Sequence, residues 1–217
     1  MNYFGERGSS MPKVSKEFLL ARREEIIDAC AKLYATMDFK EITLKEIGSI
    51  TSFNRTAIYN YFNNKEEIFL ALMQREYECW SAELDEMVQE HESMTRDQLA
   101  QELAHSLERH ERLLKLLSMN YFNMEENSRY ENLVTFKKAY GESIRAVRHC
   151  LDKFCPEMKE KDKEEFLYVF FPFMYGIYPY AVVTEKQRKA MEGAGVDFVY
   201  HSIYELSYRC LKKLLVR

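Results

Sequence analysis

Asn54, Arg55, Thr56, Tyr59 and Asn60 gather two amides, a guanidinium and two hydroxyl groups within one short segment. A guanidinium pairs bidentately with the edge of guanine, and a carboxamide pairs with adenine. The chemistry this cluster offers is recognition of base edges, with no nucleophile–base pair in it. Upstream, Thr43 stands at a helix start, where a hydroxyl and unpaired N–H groups suit a phosphate. Catalytic patterns are absent from the chain: there is no G-x-S-x-G, no phosphate-cradling glycine loop and no H-E-x-x-H. His105 and His110 are five apart, off one helical face, and the cysteines (Cys30, Cys79, Cys150, Cys155 and Cys210) form no C-x-x-C pair. The expectation is a binding protein, not an enzyme, with no metal centre, no cofactor and no disulfide framework.

The elements that must carry these side chains are helical. With 7 Gly and 4 Pro among 217 residues, 47% hydrophobic and 30% charged, the chain has too few turn formers for a many-stranded sandwich and too much apolar matter for disorder. A net charge of -4 gives no overall basic excess. Residues 12–65 nevertheless hold nine Lys/Arg (13, 16, 22, 23, 32, 40, 45, 55, 65) against seven acids (17, 24, 25, 28, 38, 41, 46), a local +2. No run of 18 uncharged apolar residues and no signal-peptide core occurs, so no membrane partner and a cytoplasmic location are expected.

Apolar periodicity predicts a first helix over 16–36, entered through Ser15. Thr43 with Glu46 forms a capping-box pair that opens a second, short helix over 44–50. After Thr51-Ser52-Phe53, Asn54 caps a third that runs to Tyr61 or Phe62. A fourth, opened by Asn64 and Glu67, extends to about Glu90. Further pieces follow Thr95, then Leu113 to Leu117, with a break at Tyr121-Phe122. A helix of about 25 residues then ends at Pro156. An aromatic helix over 164–183 should be kinked or interrupted by Pro172, Gly176 and Pro179, and a last helix spans about 196–215. The fold class is all-α, with nine or ten helices.

Two short helices across a tight turn fit the helix-turn-helix plan, in which the second helix enters the major groove. The string EIGSITSFNRTAIYNYFNNKEEIF, ending on Tyr59, Phe62, Lys65, Glu66 and Glu67, resembles the DNA-binding domain of the TetR family of transcriptional regulators. The likeness covers about residues 16–72. It implies an N-terminal three-helix helix-turn-helix domain over 12–66 and a C-terminal helical ligand-binding and dimerisation domain over 67–217. It further implies that Tyr59 gives its hydroxyl to phosphate and that Lys65 contacts the DNA backbone. Thr43, Asn54, Arg55, Thr56, Tyr59, Asn60 and Lys65 are thus the DNA-binding candidates, with Ala57, Ile58 and Phe62 packed inward. Ser52 stands where the family usually has a turn glycine, and Thr56 where it frequently has one. A serine forced into a left-handed turn would be strained.

In the larger domain, Trp80, Tyr121, Phe122, Phe136, Tyr140, Phe170, Phe173 and Met174 are candidate ligand-pocket residues. An aromatic, Met-rich interior favours a hydrophobic or flat effector. Phe166, Phe170, Val199, Ile203, Leu206 and Cys210 are the dimer-interface candidates, the last four on a stripe that could equally close the chain's own core. The expected whole is a homodimeric repressor that reads a palindromic operator in double-stranded DNA and is released by a small apolar or aromatic ligand. The alternative is a helical protein-interaction module with weak or lost DNA binding.

Overall fold

The protein is described from a computed structural model over residues 15–119 and 121–216. The start of the expected DNA-binding domain, residues 12–14, lies outside the described residues. Eleven helices and no strand occur among the described residues, in two compact units, one ending at Ile68 and the other beginning at Phe69.

The first unit holds α1 (Lys16–Tyr34), α2 (Leu44–Ser49), α3 (Arg55–Ile58) and the start of α4 (Lys65–Glu90). Its N-termini are capped by short polar side chains, as such positions favour. The Ser15 hydroxyl accepts from Phe18 N–H, Thr43 from Lys45 and Glu46 N–H, and Asn54 from Ala57 N–H. Helix α3 stops at Ile58, and the chain continues to Phe62 through turns closed on the Ala57 and Ile58 carbonyls. Ile26, Ile27, Cys30, Tyr34, Ile42, Ile47, Ile58 and Phe62 form the buried centre.

The second unit comprises the rest of α4 with α5 (Arg96–Arg109), α6 (Glu111–Leu117), α7 (Tyr121–Glu126), α8 (Tyr130–Phe154), α9 (Glu160–Ala181), α10 (Glu185–Gly193) and α11 (Ile203–Leu215). Helix α5 packs on α11, and α9 on α6, α8 and α11. A short helix, α7, occupies the position of the expected break at Tyr121-Phe122. Helix α9 is a single element through Pro172 and Pro179. Each proline removes one intrahelical donor, and burial of Phe166, Phe170, Phe171, Met174 and Ile177 along the same helix offsets that loss.

The last helix is shorter than its apolar stripe. Helix α10 ends with Gly195 at φ 66°, where Gly195 N–H donates to Glu192 and Val196 N–H to Met191, a Schellman close. Residues 196–202 are non-helical, and a Ser202–Glu205 capping box starts α11 afresh.

Candidate nucleic-acid interface

Helix α3 separates its side chains by burial. Asn54, Arg55, Thr56, Tyr59 and Asn60 are exposed, whereas Ile58 and Phe62 are buried and Ala57 is half-buried. Two buried anchors one turn apart present the polar residues as one outward set. Arg55 and Tyr59 meet across that turn, with Nη2 donating to the Tyr59 hydroxyl at 3.4 Å. Thr43 is exposed at the start of α2, but its hydroxyl also donates to the Glu46 carboxylate, so a phosphate there must displace that bond.

Lys65 has a different placement from the one its motif suggests. Its Nζ donates to the carbonyls of Phe39 at 2.7 Å and Ile42 at 3.0 Å, and lies 4.1 Å from the Phe39 ring centroid. Two of its three protons therefore brace the loop before α2 against the start of α4. Lys65 is accordingly a brace of the unit in this structure.

The turn between α2 and α3 is tied to α1. Ser52 N–H donates to Glu25 Oε1, Ser52 Oγ to Glu25 Oε2 at 3.1 Å, and Arg22 Nη1 to Ser52 Oγ at 2.5 Å. The Arg22 guanidinium lies 5.0 Å from the Phe18 ring centroid and 4.5 Å from that of Phe53. The Ser52 N–H bond holds the Glu25 carboxyl below its ordinary pKa, against the smaller upward push of burial. No non-glycine residue among those described has positive φ, so Ser52 carries none of the strain its substitution for glycine suggested.

In the second unit, the predicted pocket residues divide. Trp80, Phe136, Phe170 and Met174 are fully buried, and Trp80 Nε1 donates to Ser106 Oγ at 3.0 Å. Tyr77, Phe136, Tyr140, Phe170 and Phe171 form a continuous aromatic interior with Trp80, at centroid spacings such as 5.6 Å for Tyr77–Tyr140 and 6.2 Å for Trp80–Phe171. Tyr140 alone of the predicted set lines a cavity of about 400 Å³ between α8 and α9, beside Ile144, Leu167, Tyr168 and Phe171, with Arg148 and Glu164 also on its wall. Burial raises the Tyr140 pKa. Phe173 lines another, about 270 Å³ and nearly all apolar, with Pro172, Ile177, Tyr180, Phe198 and Leu206. The side chains of Tyr121 and Phe122 lie outside the described residues.

The predicted dimer residues divide as well. Phe166 and Phe170 are buried in the chain's own interior, and Ile203 lies on the buried line of α11 with Ser207, Leu211 and Leu215, on the helix that packs against α5. They leave no surface for a second copy. Val199 is exposed, and Leu206 and Cys210 are half-buried.

Residues 74–199 match the family model described as "Tetracyclin repressor-like, C-terminal domain", and residues 26–72 match "Bacterial regulatory proteins, tetR family". The chain belongs to the TetR family. It is 32% identical over 72 residues to the HTH-type transcriptional repressor Rv1474c of Mycobacterium tuberculosis, covering 33% of this chain and 38% of that protein. With the HTH-type transcriptional repressor AcnR of Corynebacterium diphtheriae it shares 32% identity over 92 residues, 42% and 46% of the two chains. The matched segments thus span less than half of these curated relatives. Two solved structures share the fold over nearly the whole chain. A TetR/AcrR-family regulator from Thermobifida fusca YX-ER1 has a TM-score of 0.61 at 16% identity, covering 90% of this chain and 97% of that one. FadR from Bacillus subtilis, solved in complex with stearoyl-CoA, has a TM-score of 0.55 at 18% identity, covering 88% and 97%.

Within this TetR-family chain, the partners of the turn that the sequence did not name are Arg22 and Glu25. Arg22 and Glu25 are three apart on one side of α1, an ion-pair spacing that ordinarily marks a solvated face. Nothing in that spacing names Ser52, 27 residues on, as their partner. Among the described residues, no single helix is long and apolar enough to cross a membrane.

Proposed function

We propose that the protein is a sequence-specific DNA-binding transcriptional regulator, a homodimeric repressor that leaves its operator when an apolar ligand occupies the larger unit. The observation that carries this reading is the sorting of α3. Asn54, Arg55, Thr56, Tyr59 and Asn60 form its exposed set above buried Ile58 and Phe62. In this reading Arg55 and Asn60 read base edges, and Thr43 and Tyr59 position the backbone. Two copies read half-sites about 34 Å apart or a multiple of it.

The surface best suited to the second copy is the outer face of α9 with the 196–201 segment. Val169, Tyr180, Phe198 and Val199 are exposed there, at 42%, 61%, 41% and 68%. Tyr180, Phe198 and Val199 line one apolar site, and exposed apolar surface of this kind marks an interaction site. The effector's place is the cavity between α8 and α9, whose volume and aromatic walls suit an aliphatic or flat molecule; its Arg148 is already paired with Glu160 at 2.8 Å. That the fold relative FadR was solved with stearoyl-CoA supports a ligand of this character. Effector and operator oppose one another through their preferences for different states, and a decisive switch needs about 10⁴-fold preference of the effector for the released state.

The test is selection of bound duplexes from a random library at physiological salt, with wild type beside an Arg55→Ala, Asn60→Ala double variant. A palindromic site enriched by wild type and lost in the variant supports the reading. Absence of any enriched sequence refutes it and leaves the interaction-module alternative.

A further inference from the structure

We infer that Glu25 and Gly48, neither of them a DNA contact, are positioning residues that seat the recognition helix and so set how well α3 discriminates between sequences. The inference rests on the DNA-binding reading above and concerns residues that reading leaves without a role.

Base discrimination by Arg55 and Asn60 depends on bidentate geometry, and such geometry tolerates little displacement of the backbone that carries it. Helix α3 is four residues long, too short to hold its own position, and is seated by its neighbours. Burial of Ile58 and Phe62 sets which face is outward, and two further features bear on its position. At the turn, the Ser52 N–H and hydroxyl both close on the Glu25 carboxylate, and Arg22 completes the triangle while its guanidinium lies near the rings of Phe18 and Phe53. The carboxylate of α1 thus accepts the turn's backbone N–H one residue before Phe53 and two before the α3 cap, Asn54. Along α2, Gly48 lets the two helices close up. A Cβ built there would lie 3.1 Å from Arg55 Cβ and 3.2 Å from Arg55 Cα. The nearer obstacles include backbone, so an alanine at this position requires the start of α3 at Arg55 to give by a few tenths of an ångström. The residue it pushes is Arg55, the principal base reader of the proposed interface.

The two constraints act at different points, one on the turn and one on the first residue of the helix. They make separate predictions from a purely stabilising role. An interaction that only stabilises the unit, when removed, lowers the melting temperature and leaves the folded fraction reading DNA as before. Removal of a seating interaction lowers the preference for the selected site over a scrambled one in protein that is still folded.

The experiment uses the full chain and a duplex selected by wild type. Affinity for that duplex and for a scrambled duplex is measured by fluorescence anisotropy at several salt concentrations, with melting followed by circular dichroism. The variants are Glu25→Ala, Glu25→Gln and Gly48→Ala. Glu25→Gln removes the same charge as Glu25→Ala but keeps an oxygen for the Ser52 N–H. We expect Glu25→Ala and Gly48→Ala, at temperatures where both are folded, to lose about tenfold in the ratio of specific to scrambled affinity, the worth of one misplaced bidentate pair. Their salt slopes stay unchanged, because every phosphate remains as well neutralised as in wild type. Glu25→Gln retains most of the ratio. Wild-type discrimination that survives both Glu25→Ala and Gly48→Ala overturns this inference and leaves DNA binding intact. Equal losses in Glu25→Ala and Glu25→Gln also overturn it for Glu25, since charge and not the hydrogen bond would then be responsible. A wild-type protein that enriches no duplex overturns the DNA reading and this inference with it.

Discussion

Replacing Lys65 with methionine separates two roles that the same motif allows. The ammonium group donates to two backbone carbonyls at 2.7 and 3.0 Å and lies over the Phe39 ring. Hydrogen bonds from a charged donor contribute about 1.5–3 kcal/mol each, and a cation over an exposed ring about 0.5–1 kcal/mol. Lys65 is half-buried, so water replaces part of what the variant loses. A net destabilisation of about 2 kcal/mol follows, and for a chain of this length that lowers the melting midpoint by roughly 4–8 °C. Methionine preserves the apolar stem, so the loss reports on the ammonium group. The second readout is the slope of log affinity for the selected duplex against log salt. Removing a cation that neutralises one phosphate of duplex DNA lowers the magnitude of that slope by about 0.9. The brace predicts a lower midpoint with the slope unchanged. A slope reduced by about 0.9 with no change in the midpoint refutes it and returns Lys65 to the DNA backbone.

Three further outcomes follow from other interactions. Glu76 is 5% exposed and accepts from Arg112 Nε at 2.9 Å; the Arg112 side chain is 46% exposed, so Arg112→Ala lets water reach the carboxylate, and denaturant melts should show a loss of about 1–2 kcal/mol. Val199→Glu with Tyr180→Glu places charge on exposed apolar surface of the proposed interface, and sedimentation should show a monomer with an unchanged circular dichroism spectrum; a persisting dimer places the interface elsewhere. Glu25 has an ordinary carboxyl pKa of 4.5, depressed here by the Ser52 N–H bond. Its contribution is therefore present above pH 4.5 and lost as pH falls through the depressed value. Acidification across that window should cost wild type more stability than Glu25→Gln, and parallel pH profiles for the two proteins would refute the assignment.

The parts of the fold legible in the sequence are those fixed by local chemistry. Thr43, Asn54 and Thr95 each cap the helix expected from them, because an N-cap needs only a side chain and the next turn's N–H groups. Helix α8 is equally local, since a stripe of 25 residues bounded by Pro156 admits one reading. Where the sequence misled, the deciding interaction was distant or collective. The prolines of α9 suggested a kink or a break, and a break does not occur, because two missing N–H groups weigh little against a line of buried aromatic residues. The start of α11 was lost because Val196 and Val199 continue its apolar rhythm. Gly195 and the Ser202 cap nevertheless stop and restart the chain between them.

The same distinction governs the sites. Exposure of α3's polar face follows from Ile58 and Phe62 alone, so the base-reading candidates could be named from spacing. The dimer and ligand candidates could not, because an apolar residue at helical spacing looks the same whether it meets its own chain, a second copy or a ligand. Phe166 and Phe170 are settled as interior by α9's packing. The surface that remains apolar includes Tyr180, which the sequence reading did not nominate, and Val199, which it did. Glu25 is the sharpest case. Its charge reads as solvent-facing and its ion pair with Arg22 as local. Its strongest partner is a backbone N–H in a turn that only the folded chain brings within reach. A residue whose partner is a distant turn carries no motif, so it is found from the hydrogen bonds of that turn and not from spacing along α1.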